Sequence, residues 1–233
     1  MRHLELFAGI GGFRRAMDLL TQDHIMDFHC IGYSEIDAKA VKTYCANYHP
    51  EVDGELAMGD IVEFTSNKNN MDNLPQFDLV TGGFPCQTFS MMGKQAGFNE
   101  DRGQMFFHII DILAAKMPRY VLLENVKNLK SHDKGRTFAR IKQELEALGY
   151  QVFTDIFNTA QFHLPQTRNR LLIFATTEPV PADFEVQFTC DNIAVLFDQV
   201  YQDLGTYHYQ SVNDILSLEV DKKYFLSEKI KPT

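Results

Sequence analysis

The residues Leu4-Glu5-Leu6-Phe7 form a short apolar strand pattern that breaks at once on Ala8-Gly9-Ile10-Gly11-Gly12. The chain then restarts as a helix, with Phe13, Ala16, Met17 and Leu20 at helical spacing. Taken alone, a glycine-rich strand-to-helix turn is a weak signal, which a tight connection with no ligand also gives. The glycines let backbone approach a ligand closely, and the helix offers it a positive end. Strand patterns recur from Phe28 to Ser34, Met58 to Ile61, Phe77 to Val80, Tyr120 to Leu123, Val152 to Phe157 and Leu171 to Ala175. Helix patterns separate them. Asp37 stands as a cap before Ala40, Val41 and Tyr44, a helix runs from Gln104 to Lys116, and Phe138, Ile141, Leu145 and Leu148 precede Gly149. Asn67 to Asn70 reads as a loop, and Gly82-Gly83 as the stop of the fourth strand. The alternation predicts an α/β fold with a doubly wound, mostly parallel sheet of Rossmann-like type, which binds ligands at the carboxyl ends of its strands. Pro179 and Pro181 suggest a boundary between a domain over 1–178 and an acidic extension over 179–233.

Composition narrows the setting. Hydrophobic residues make up 45% of the chain and charged residues 23%, a globular mix. No apolar run reaches the ~20 residues of a membrane helix, and because strand-like residues begin at His3 no signal peptide is expected. Cys30, Cys45, Cys86 and Cys190 are scattered without a C-x-x-C pair, which disfavours a disulfide framework or a metal site and fits a reducing cytoplasm. A net charge of −9 weighs against a nucleic-acid partner, but the charge is unevenly spread. Residues 181–233 carry nine acids and four lysines, whereas 116–142 carry eight Lys/Arg and two acids, so a local phosphate-facing surface is compatible with the acidic total.

Four features carry chemistry. The glycine turn with Phe7, Gly9 and Gly11 is followed by acids at the next two strand ends, Glu35 and Asp60; an acid there accepts hydrogen bonds from ribose hydroxyls. Two acids suit a nucleoside with a positive centre better than a dinucleotide. Second, Gly82-Gly83-Phe84-Pro85-Cys86-Gln87 presents a cysteine beyond a strand end rather than burying it, and 86–103 reads as a long loop. Third, Glu124-Asn125 follows an apolar strand; an acid there is costly to bury alone. If the fourth and fifth strands are neighbours, Cys86 and Glu124 face one pocket. A carboxylate raises a nearby thiol's pKa, so the pair makes sense where the acid grips a heterocycle that the sulfur attacks. Fourth, Gln166-x-Arg168-x-Arg170 places two arginines on one face of an extended segment, to bind phosphate or to neutralise an acid such as Glu124.

Taken in order, these features resemble the cytosine-C5 DNA methyltransferase family, over residues 3 to about 176. The resemblance implies S-adenosylmethionine as cofactor, held by Phe7, Gly9, Gly11, Glu35, Ile36, Asp60, Ile61, Gly83, Pro85 and Met105. Glu35 would take the ribose hydroxyls and Asp60 the adenine amino group. It implies Cys86 as nucleophile toward C6 of a cytosine flipped from duplex DNA, with Glu124, Arg168 and Arg170 as catalytic partners. Gln87, Ser90, Lys94, Arg102, Asn125 and Gln166 would contact substrate. Arg168 is expected to hold the base and the active-site acid, and no metal is expected.

The sequence departs from that family at Phe162-His163-Leu164, where a small turn residue is usual. The family's target-recognition domain and last motifs are not found before Thr233; the explanations are a split enzyme with a second polypeptide that supplies them, which is the expected partner, a fragment of a longer chain, or a degenerate gene. The implied setting is a cytoplasmic, nucleoid-associated, bacterial or phage-like restriction-modification enzyme. The alternatives are an inactive or partner-dependent nucleic-acid-binding subunit and a tRNA cytosine-C5 methyltransferase.

Overall fold

A computed structural model gives the architecture of the protein over residues 1–85 and 105–204. Among these described residues one sheet has the strand order β3-β2-β1-β4-β5-β7-β6. Its strands are β1 (Arg2–Leu6), β2 (His29–Ser34), β3 (Leu56–Ala57), β4 (Leu79–Gly83), β5 (Tyr120–Val126), β6 (Gln151–Asn158) and β7 (Asn169–Thr176). The helices are α1 (Gly12–Gln22), α2 (Ala38–Tyr48), α3 (Pro50–Asp53), α4 (Ile61–Ser66), α5 (Lys68–Asn73), α6 (Met105–Lys116), α7 (Arg136–Ala147), α8 (Phe184–Gln187) and α9 (Cys190–Leu204). β1 pairs in parallel with β2 and β4, β2 with β3, and β4 with β5. β7 alone is reversed, antiparallel to both β5 and β6. The doubly wound, mostly parallel sheet expected from the alternation is therefore present. Its winding changes direction between β1 and β4, which opens a cleft at their carboxyl ends.

Three local readings need correction. The fourth strand does not stop at its glycines but runs through them. Gly82 is required there by close packing, since a Cβ would come within 3.0 Å of the Leu6 carbonyl oxygen. The third strand pairs through Leu56–Ala57 rather than 58–61, because Gly59 at φ 66° turns the chain into α4. Asn67 to Asn70 is not a loop: the Asn67 side chain accepts from the amides of Asn69 (3.0 Å) and Asn70 (3.4 Å) and so starts α5.

The main core lies on one face of the sheet. Leu4, Leu6, Val80, Val121 and Leu123 bury against Phe64 of α4, the α6 residues Phe106, Ile109, Ile112 and Leu113, and Ile141 and Leu145 of α7. Each such side chain contributes roughly 1.5–3 kcal/mol by leaving water. Strand alternation turns His3 and Glu5 to the opposite face. His3 Nε2 lies 2.7 Å from Thr81 Oγ1, and burial pushes its pKa down to about 3, so the ring is neutral. A smaller cluster of Ala8, Tyr33 and Tyr44, with Tyr48 beside it, lies apart from the main core. Further along, Phe184 and Phe188 cover Phe174 of β7, with ring centroids 5.8 and 5.6 Å apart. No helix among the described residues is long and apolar enough to cross a membrane.

Candidate active site at the carboxyl edge of the sheet

Three left-handed residues build the turn after β1: Phe7 (φ 53°), Gly9 (φ 56°) and Gly11 (φ 89°). The turn is held from outside. Ala8 N–H donates to the Ser34 carbonyl at 2.9 Å. Glu35 Oε2 accepts from Gly9 N–H, and its Oε1 from the amides of Ile36 and Asp37, each at 2.8 Å. Glu35 thus stands at the turn, as expected, and also braces it. Asp60 caps α4 through Val62 N–H at 2.8 Å. Ile10 and Ile36 are 62% and 73% exposed, apolar side chains beside these acids. Ile61 does not join them: as the first residue of α4 it packs into the core and is 2% exposed.

Beneath the turn, Glu5 is buried on β1, with Oε1 accepting from Phe13 N–H at 3.1 Å and Oε2 lacking a partner. Burial pushes its pKa up to about 7, against the smaller pull of the Arg14 and Phe13 amides. Tyr48 of α2 donates its hydroxyl to the Gly11 carbonyl at 2.8 Å. Its ring fills the space that any Gly11 side chain would need. Arg14 covers that ring at 5.3 Å and is itself fixed by ion pairs to Glu55 and to Asp18, the latter at 2.9 Å. Sequence reading passed over Tyr48 and Arg14; the one signal for Tyr48 was its place four residues after the inward Tyr44.

At the other side of the cleft β4 and β5 end together. Gly83 is opposite Glu124, and a Cβ on Gly83 would come 3.2 Å from Glu124 Oε2. Arg170 Nε lies 2.6 Å from Glu124 Oε1. The two are diagonal neighbours across β5 and β7, since Glu124 faces Leu172 and Arg170 faces Val126. The acid is therefore met by Arg170. Arg168, expected to hold it, precedes β7 and is exposed. Arg168 instead lines a hollow of about 400 Å³ with Lys127, Gln166 and Arg170, a cationic recess suited to an anion. On its other side the Glu124–Arg170 pair borders a second hollow of about 380 Å³, otherwise mostly apolar, with Phe13, Phe157, Leu172 and Ile193.

Asn125, expected to touch substrate, is 2% exposed. Its Nδ2 donates to the Phe84 carbonyl at 2.8 Å and its Oδ1 accepts from Val126 N–H at 2.9 Å. It positions the chain leaving β4. Pro85 is exposed next to it, and Met105 opens α6 half-buried. Cys86, Gln87, Ser90, Lys94 and Arg102 lie outside the described residues. No metal-binding cluster occurs among the described residues.

A family model described as C-5 cytosine-specific DNA methylase matches residues 1–232. The chain is similar to the type II methyltransferase M.NlaX of Neisseria lactamica, 38% identical over 227 residues, covering 97% of this chain and 63% of that protein. It is also similar to the orphan methyltransferase M.Rho11sI of Bacillus phage rho11s, 34% identical over 242 residues, covering 98% and 46%. The chain thus spans about half the length of the curated relatives it matches. Among solved structures, S. pombe Dnmt2 methyltransferase superposes with a TM-score of 0.68 at 21% identity, covering 99% of this chain and 64% of that one, a likeness of fold.

Proposed function

We infer the reaction from one premise: this chain belongs to the C-5 cytosine-specific DNA methylase family. It acts as the catalytic portion of a DNA (cytosine-5-)-methyltransferase, methylating a cytosine flipped out of duplex DNA. The observation that carries this reading is the Glu124–Arg170 pair at the end of β5, directly beside the strand end from which the chain proceeds through Pro85 to Cys86.

The residues at the β1 turn fit S-adenosylmethionine. Gly9 leaves backbone open to approach while Gly11 lets the Tyr48 ring seat against the turn, Ile10 and Ile36 offer apolar surface to a base, and Glu35 and Asp60 supply the acids a cationic nucleoside tolerates. When bound, S-adenosylmethionine supplies an electrophilic methyl group on a sulfonium. Cytosine C5 is too weak a nucleophile to take it unaided. Cys86 thiolate adds to C6, and the ring electrons move to C5. Glu124, carrying a proton on one oxygen, donates it in a hydrogen bond to N3 and accepts from the exocyclic amine with the other, offsetting the charge of the electron-rich ring, while Arg170 holds the side chain in place. C5 takes the methyl group, the C5 proton passes to solvent, and the Cys86–C6 bond breaks to restore the aromatic ring. The recess formed by Lys127, Arg168 and Arg170 receives a DNA phosphate.

Methyl-labelled S-adenosylmethionine with cytosine-containing duplex DNA should place label on C5, and Cys86→Ala should abolish it. Label entering tRNA instead, or turnover surviving the loss of the Cys86 sulfur, overturns the reading. A second polypeptide carrying a target-recognition part belongs to the same proposal. Its addition should raise the rate and confer sequence preference.

A further inference from the structure

The segment 159–168 joins β6 to β7 at the carboxyl edge and carries Gln166 and Arg168 up to Arg170. Its base is closed by its own bonds: Thr159 N–H to the Arg168 carbonyl (3.1 Å), Arg168 N–H to Thr159 Oγ1 (3.1 Å) and Thr159 Oγ1 to the Gln166 carbonyl (2.6 Å). Its tip is fastened to α9. Gln161 Nε2 donates to Asp191 Oδ1 at 2.6 Å, Phe162 meets the edge of Phe197 at 5.3 Å, and His163 Nε2 lies 2.6 Å from Asp198 Oδ1. Asp191 and Asp198 are two helical turns apart, so they present one side of α9 to the tip.

His163 is the odd residue here. It sits at φ 58°, ψ 19°, a left-handed conformation that glycine adopts freely and a histidine does not. A strained side chain persists where its surroundings hold it, and here they hold it through Asp198. Both partners are about two-fifths exposed, so the pair does little for the global fold.

We propose that His163 and Asp198 form a latch through which α9 positions the arginine-bearing loop, and with it the meeting of Arg170 and Glu124. His163 is a positioning residue, and its consequence for methyl transfer rests on the function proposed above. The latch itself does not.

The test compares the full chain with His163→Gly, Asp198→Asn and the double variant. Glycine removes the latch while relieving the backbone, so His163→Gly should unfold at the parental temperature or above it. Hydrogen–deuterium exchange at the amides of residues 159–170 should become roughly tenfold faster in either single variant. The double variant should be no faster than His163→Gly, because Asp198→Asn removes only the contact with His163, whereas His163→Gly also removes the stacking of His163 on Phe197 at 6.3 Å. In single-turnover methyl transfer the rate should fall by a similar factor with S-adenosylmethionine affinity unchanged. Parental exchange in both single variants, or additive effects in the double, overturns the latch. If the parent neither binds S-adenosylmethionine nor transfers a methyl group, the proposed function fails while the exchange comparison still decides the latch.

Discussion

Asn125 Nδ2 donates to the carbonyl oxygen of Phe84 at 2.8 Å, so the end of β5 holds the chain just beyond β4 in place. Both atoms are buried, and the remaining amide oxygen is occupied by Val126 N–H. Asn125→Ala should remove this buried hydrogen bond, at a cost of about 1 kcal/mol. Urea unfolding checks the stability loss. Methyl transfer should fall further than stability alone explains, since Cys86, proposed above as the nucleophile, follows two residues after Phe84. Parental activity in a folded Asn125→Ala chain would remove Asn125 from the positioning role.

Arg170 and Glu124 are each about three-quarters buried, and their separation of 2.6 Å makes a strong charged contact. Arg170→Ala should cost about 1 kcal/mol of stability or less, because solvent still reaches the freed carboxylate. Its effect on methyl transfer should be much larger, on the order of a hundredfold or more, as for a group that orders the transition state. Glu124→Gln should keep the fold and lose activity to a similar degree. Equal losses of stability and rate in Arg170→Ala would make the pair structural.

Gly83→Ala tests the crowding at the same point. The new methyl would stand 3.2 Å from Glu124 Oε2, tighter than ordinary contact, so the carboxylate must shift by a few tenths of an ångström. Small displacements of catalytic groups lower rates strongly, so activity should drop while thermal stability changes little. Unchanged activity would show that the carboxylate tolerates the shift.

Tyr48→Phe removes one hydroxyl from the Gly11 carbonyl and keeps the ring. A lost hydrogen bond of this kind is worth about 1 kcal/mol. S-adenosylmethionine affinity should weaken roughly fivefold, with the rate at saturating cofactor preserved. Equilibrium dialysis with labelled cofactor measures it, and unchanged affinity would show that the turn does not need this tether.

Glu5 gives the pH dependence a definite sign. Its pKa rises from 4.5 to about 7, so the folded chain holds this proton more tightly than the unfolded one. Its stabilising effect is full below pH ~4.5 and is lost as pH rises through about 7, a difference of about 3 kcal/mol. His3 works the other way: lowered from 6.5 to about 3, its effect is full above pH ~6.5 and lost as pH falls toward 3. The two oppose one another between pH ~4.5 and ~6.5, which flattens the parent's profile there. Glu5→Gln keeps an acceptor for Phe13 N–H and removes the titration. Its stability advantage over the parent should grow from pH 5 to pH 8 in urea unfolding. An advantage constant across that range would show that Glu5 does not titrate.

Much of this was legible because it is local. The glycine turn, the alternation and the acids at Glu35 and Asp60 are neighbours in sequence of the strands that place them, and Asp37 caps α2 through the amides of Lys39 and Ala40 as its position implies. What was missed depends on distant partners. Gly82 looks like a strand stop until Leu6 is seen packed against it. Asn125 looks like a substrate contact until the Phe84 carbonyl, 41 positions away, takes its amide. Choosing Arg170 over Arg168 required the register of β7 on β5, which pattern alone does not fix. His163 was visible as a departure, but its partner lies 35 residues further on.

The reversal of β7 has an architectural consequence. A strand that runs against its neighbours begins where they finish, so the arginines are delivered by the hairpin ahead of β7 rather than by a crossover helix. That hairpin can change length or acquire a new tip without disturbing the winding that shapes the nucleoside cleft. In this architecture the half proposed above to meet DNA can diverge while the half proposed to hold the methyl donor stays put.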